Sequence, residues 1–277
     1  MPTYALTPST SIPGYTLASA TLALSRLIQN TISSTATGGA ATTLIDTTRS
    51  EPSDHFNQGT LWPLSGTHSG KSVVVTDYDA TTFAFTFPTL TNAIASGVLY
   101  AAGAADYPKW ALIDAINQAL YEIGPLPAID TSLATVADQE DYTLPTGVYN
   151  IKKVELAGNS TSPYGYIEHF GWHEIDGKIR FLPGRAPADA SYGLRLTYML
   201  NEVTELSADT DIISDYIHRD VLVWMAAVHA HRRRIQRSKG DEPTVTTLLN
   251  EAIARAEQAK RLHPMPKVSR SPILAGY

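Results

Sequence analysis

Apolar residues recur at helical spacing in four stretches of the chain and alternate at strand spacing in two regions between them. The first helix is expected over roughly Leu17 to Ile32, where Leu22, Leu24, Leu27 and Ile28 form one apolar face. A second has Asp106 as its N-cap, Pro108 in its first turn and Gly124 after its last turn. Its stripe is Leu112, Ile113, Ile116, Leu120 and Ile123. A third follows the capping oxygens of Asp209-Thr210-Asp211 and buries Ile217, Val221, Trp224, Met225 and Val228. The fourth follows Gly240-Asp241-Glu242-Pro243, with Leu248, Leu249, Ala252, Ile253 and Ala256 facing inward. The last two helices therefore read as an antiparallel hairpin. After His263 the prolines at 264, 266 and 272 predict an extended tail.

The β signals fall in two blocks. Residues 38–104 are rich in Thr and give strands at Thr42–Thr48, Thr60–Leu64, Lys71–Asp77, Phe83–Phe87 and Val98–Ala102. Five short strands in so few residues point to a small barrel or sandwich. The second block runs from about Thr131 to Leu200. There Asp176-Gly177 separates Trp172–Ile175 from Lys178–Leu182, a type I′ hairpin, since Gly accepts positive φ. Leu194, Leu196, Tyr198 and Leu200 alternate with Arg195 and Thr197 as a half-buried strand.

This order predicts an α+β fold in which a discontinuous α-helical bundle core carries two inserted β modules and an extended C-terminal tail. The expected segments are an N-terminal arm and helix (1–37), a β-barrel or sandwich insertion (38–104) and a core helix (105–127). A second β module (128–206), the helix hairpin (207–262) and the tail (263–277) complete the chain.

Composition narrows the class. The 277 residues are 43% hydrophobic and 17% charged, the texture of a globular chain. With no Cys there is no disulfide framework, thiolate zinc site or Cys nucleophile. Val221–Val228, the longest near-continuous apolar run, is too short to cross a bilayer. No basic segment followed by an apolar stretch marks the start as a signal peptide, so synthesis in the cytoplasm is expected. The net charge of −6 is unevenly spread. Residues 1–211 hold ten Lys/Arg against 21 Asp/Glu, a balance of −11, whereas 212–277 hold eleven against six, a balance of +5. An acidic body with a basic C-terminal quarter fits docking on an acidic surface through that end, rather than free nucleic-acid binding.

Several short patterns resemble chemistry. Gly70-Lys71-Ser72 looks like the end of a phosphate-binding loop, but position 65 is Ser and strand-like valines follow, so it reads as a turn. Ser69 beside His68 lacks a nucleophile elbow and is rejected as a hydrolase centre. His169 and His173, flanked by Glu168 and Glu174, have zinc-ligand chemistry, yet Gly171, Phe170 and Trp172 favour hairpin packing. His229 and His231 diverge around a helix. The run Arg232–Arg234 either stabilises its helix C-terminus or contacts an acidic partner. Asp138, Glu140 and Asp141 read as a solvated turn, and no catalytic, metal or cofactor site is expected.

Three stretches carry a resemblance. They are Thr42–Thr48 with Gly59-Thr60-Leu61-Trp62, Ser69-Gly70-Lys71 and Thr76-Asp77-Tyr78-Asp79; Asp141–Pro145 followed by Ile151–Leu156; and Leu194–Tyr198 leading through an acidic loop to Asp211 and a long helix. In this order the chain resembles the head-to-tail adaptor (neck) proteins of tailed bacteriophages over most of residues 38–238. The resemblance implies a non-enzymatic virion protein at the head–tail junction. Such adaptors form a ring, commonly a dodecamer, under the portal protein, join a downstream neck or tail protein, and let DNA pass through a channel without specific binding. With this resemblance, the positive balance and extended character of the C-terminal quarter assign portal contact to Arg232, Arg233, Arg234, Arg237, Lys239, Lys267, Arg270 and Tyr277. The alternatives are another neck ring component, a stopper or tail terminator. A third is a glycan-binding or hydrolytic β module, whose platforms would be Trp62 and Trp172.

Overall fold

The computed structural model describes residues 15–157, 165–190, 192–200, 205–238 and 243–264. They divide into two compact units, one from the described parts of 1–122 and 205–264, the other from 123–204.

In the first unit, α1 (Leu17–Ile28) starts at a capping box in which the Thr16 side chain accepts from the Ser19 amide and Ser19 answers the Thr16 amide. The helix stops short of Ile32, because β1 (Ile32–Thr35) begins there and pairs with β8 (Leu99–Gly103). Between them lie β2 (Gly38–Gly39), β3 (Thr43–Ile45), β4 (Thr60–Pro63), β5 (Val73–Val74), β6 (Asp77–Asp79) and β7 (Ala84–Thr86). They form two four-stranded antiparallel sheets, ordered β1-β8-β4-β5 and β2-β3-β7-β6. Both sheets feed one core containing Leu44, Leu61, Tyr78, Phe85 and Tyr100. At its centre Phe56 meets Tyr78 edge-on with ring centroids 5.1 Å apart. Asp46 is fully buried against this core and accepts from Tyr100 Oη at 2.7 Å and Thr48 Oγ1 at 2.6 Å. Burial pushes the Asp46 carboxyl up, but hydrogen bonds from Thr48, Ser34 and Tyr100 outweigh it and hold the group below the usual range.

Helix α2 (Lys109–Ile123) follows, with the Ala111 amide bonded to the Pro108 carbonyl. Asp106 is not its cap and instead pairs with Arg234, 2.7 Å away. The buried side of α2 holds Leu112, Ala115, Ile116, Asn117, Ala119 and Leu120. Asn117 mimics a strand partner, donating to the Leu206 carbonyl at 2.9 Å and accepting from the Leu206 amide at 3.0 Å.

In the second unit β9 (Pro127–Ala134), β10 (Asp141–Thr143), β11 (Ile151–Ala157), β12 (Tyr166–His169), β13 (Trp172–Ile175), β14 (Lys178–Phe181) and β15 (Gly193–Met199) form two more antiparallel sheets. Their orders are β10-β14-β13 and β12-β11-β15-β9. They share a core of Tyr142, Val154, Trp172, Ile179, Phe181, Leu194 and Leu196. The turn between β13 and β14 has φ of 49° at Asp176 and 71° at Gly177, the paired left-handed geometry of a type I′ hairpin.

The chain returns to the first unit through residues 205–213, where the Ile213 amide bonds the Tyr15 carbonyl and the Leu17 amide bonds the Asp211 carbonyl. Helix α3 begins only after His218, at Arg219–Arg237, seven residues later than the acidic run suggests. That run has other work: Asp211 accepts from the Ser207 and Ala208 amides, and Asp209 pairs with Lys109. Val221, Met225 and Val228 are buried on α3. Helix α4 (Pro243–Leu262) packs through Val245, Ala252, Ala256 and Ala259, leaving Leu248 and Ile253 exposed rather than inward. The expected joint at Gly240–Asp241 and the tail beyond Pro264 lie outside the described residues.

The expected helical-bundle core is overturned. Among the described residues four helices stand against fifteen strands in four antiparallel sheets, a mixed α+β arrangement in which strands are the more numerous elements. The physical reason is that each β block closes a hydrophobic core between its own two sheets. These blocks are layered bodies in their own right, not decorations on a helical bundle.

Candidate functional site

Helix α3 positions the arginines that the sequence singles out as a basic run. Arg232 and Arg237 are exposed, and neither makes an ion pair among the described residues. Arg233 bonds the Asp114 carboxylate of α2, and its guanidinium stacks over the Trp110 ring, 4.5 Å from the centroid. Arg234 turns the other way, pairing with Asp106 and lying 5.3 Å over the Tyr107 ring. Portal-contact residues Lys239, Lys267, Arg270 and Tyr277 lie outside the described residues.

Between α2 and α3 runs an open groove of about 520 Å³, lined by Asp114, Gln118, His229, Arg232, Arg233 and Arg237, among others. Three guanidiniums against one carboxylate make it cationic. On α2 the exposed residues Trp110, Gln118 and Tyr121 recur with half-exposed Asp114 at helical spacing. The two aromatics are 56% and 50% exposed, unusual for side chains this large. The α2 residues were not picked out from the sequence. Their spacing on the polar side of α2 was available, but their meeting with arginines more than a hundred positions away was not.

The two α3 histidines separate as their spacing requires. His229 Nε2 lies 3.0 Å from Glu122, which Lys260 of α4 also reaches at 3.3 Å. Burial raises the Glu122 carboxyl, but Lys260 and His229 more than compensate and keep it below the usual carboxylate range. His231 is buried, 2.7 Å from Tyr107 Oη, and burial with the nearby Arg234 charge lowers it to about 4. It is a neutral core histidine at neutral pH.

The other patterned residues are occupied structurally. Gly70 ends a turn at φ 87°, its carbonyl accepts from Lys109 Nζ at 2.9 Å, and no helix follows it. Ser69 donates to the Leu64 carbonyl, while His68 is buried against the Asn92 carbonyl. His169 bonds the Arg185 carbonyl, and Glu174 accepts from the Asn150 and Ile151 amides at 3.0 and 2.9 Å. His173 lies opposite Arg180 on the hairpin, and Glu168 is 3.5 Å from Lys153. These four are not gathered as ligands. Asp141 forms a two-pronged pair with Arg180, which holds its carboxyl low. Trp62 and Trp172, the proposed glycan platforms, are buried at 1% and 4% exposure, Trp172 within the core of the second β block.

No helix among the described residues is long and apolar enough to cross a membrane. Compared with protein-family models the chain matches none, and compared with curated proteins it finds no significant match.

Proposed function

We propose that this chain is a structural virion protein, a head-to-tail adaptor that closes into a ring under the portal of a tailed phage and extends the DNA channel. The observation that carries the reading is the α2–α3 face. Arg, Trp and Tyr are the side chains most enriched at the energetic centres of protein interfaces. Here Arg232 and Arg237 line the groove, exposed and without an ion pair among the described residues, and Trp110 and Tyr121 are exposed on α2, the helix that lends the groove Asp114 and Gln118. Such a face suits a carboxylate-bearing segment of a portal subunit, since a planar guanidinium binds a carboxylate through two parallel hydrogen bonds. A ring needs a heterologous contact whose repeated rotation closes, and twelve copies is the number that the resemblance implies. The order of helices and β modules along the chain agrees with the same resemblance.

The test is a charge reversal. The double variant Arg232→Glu/Arg237→Glu should keep its melting temperature yet fail to co-sediment with portal-bearing heads of the encoding phage. Co-sedimentation equal to that of the unaltered chain would sink the proposed contact.

A further inference from the structure

Where α3 begins and α4 ends, three ligating side chains converge. His218 caps α3, its Nδ1 accepting from the Asp220 amide at 3.3 Å. His263 follows the last residue of α4, and its own amide still bonds the Ala259 carbonyl at 2.9 Å. The two imidazoles lie face to face, with centroids 3.4 Å apart and planes within 7°. The Asp220 carboxylate comes to 4.0 Å from His218 Nδ1. One ligand atom from each of the three residues lies within 4.8 Å of the other two.

The packing of α4 on α3 brings these two helix ends together, and the imidazoles meet there ring on ring. A parallel sandwich sets two negative ring faces against each other, the least favoured aromatic arrangement. A shared cation relieves this by turning both rings' nitrogens toward one centre. Donor atoms around a tetrahedral zinc sit about 3.4 Å apart, given bonds of about 2.0–2.1 Å. Ligand atoms already within 4.8 Å reach that spacing by turning an exposed and a half-buried imidazole about χ2, a soft torsion.

We infer that His218, His263 and Asp220 bind one divalent transition-metal ion of the zinc class, clamping the start of α3 to the end of α4. Two imidazoles and a carboxylate favour zinc, nickel or copper over magnesium and calcium, which take oxygen ligands. Three protein ligands leave a position open to water. The chain has no Cys, so no thiolate competes for the ion. The inference does not rest on the adaptor reading.

The experiment is calorimetric titration of zinc chloride into the untagged, metal-stripped full chain, paired with melting curves. One zinc per chain and a higher melting temperature are expected. His263→Ala and His218→Asn should each weaken zinc binding at least about tenfold and erase the thermal shift. Asn retains a capping oxygen for α3, so the second variant separates loss of the ligand from loss of the cap. His55→Ala, at an exposed histidine elsewhere, should bind zinc as the unaltered chain does. Absence of zinc binding, ligand variants that bind zinc as tightly as the unaltered chain, or an equal thermal shift with magnesium would each overturn the site.

Discussion

Lys109 Nζ lies 2.7 Å from Asp209 Oδ1 and 2.8 Å from Oδ2, although a hundred residues separate the pair. The same ammonium donates to the Gly70 carbonyl at 2.9 Å, so one buried lysine ties the start of α2, a β-module turn and the segment leading to α3. The side chains are 3% and 13% exposed, and removing one partner strands a buried charge. Lys109→Met should therefore cost about 3 kcal/mol in chemical denaturation. Adding Asp209→Leu should recover part of that loss, and a double variant no more stable than the single would refute the pairing as the cause.

Tyr100 and Asp46 make a second prediction. Tyr100→Phe removes a donor from a fully buried carboxylate while preserving ring packing against Phe85. The expected loss is about 1–3 kcal/mol, the penalty for an under-satisfied buried polar group. Asp46 should also titrate closer to its ordinary value in that variant, read by carbon-detected NMR of the carboxyl.

His231 gives the pH dependence. Its folded pKa of about 4 is lower than the ordinary 6.5, so between these values the unfolded chain binds more protons than the folded one. Stability contributed by neutral His231 is whole above pH 6.5 and lost as the pH falls toward 4. The full span is on the order of 3 kcal/mol. His231→Gln should flatten the stability slope between pH 6.5 and 4.5, and an unchanged slope would assign it to other groups. Asp46, Asp141 and Asp211 have lowered carboxyl values, so their contribution falls away mainly below this window.

The cationic groove predicts a salt effect. Attachment through Arg232 and Arg237 should weaken as ionic strength rises from 0.05 to 0.5 M, in rough proportion to the shrinking Debye length, about 10 Å at 0.1 M. Trp110→Ala should weaken attachment through lost contact area and the lost Arg233 stack, without the same salt dependence. Salt-independent attachment of the unaltered chain would rule out the arginines as its basis.

What could be read from the chain was local. The Asp176-Gly177 turn is legible because a two-residue hairpin is decided by its own φ angles. The α3 stripe is legible because Val221, Met225 and Val228 repeat at helical spacing. The start of α3 is not legible because Asp209 and Asp211 look like caps, and only tertiary contact shows their partners to be Lys109 and the Ser207–Ala208 amides. Trp62 and Trp172 looked available because alternation in a strand does not say which face is covered. The helical-bundle expectation failed for a related reason: short Thr-rich strands give no hint that two sheets will close on Phe56, Tyr78, Phe85 and Tyr100. Of the candidate face, the arginines were visible and their α2 neighbours were not.

The most direct measurement is immunogold electron microscopy of the encoding phage's particles with an antibody to this chain. The adaptor reading expects gold at the head–tail junction and none along the tail. Gold along the tail or at its tip, with an accessible junction left bare, would contradict it.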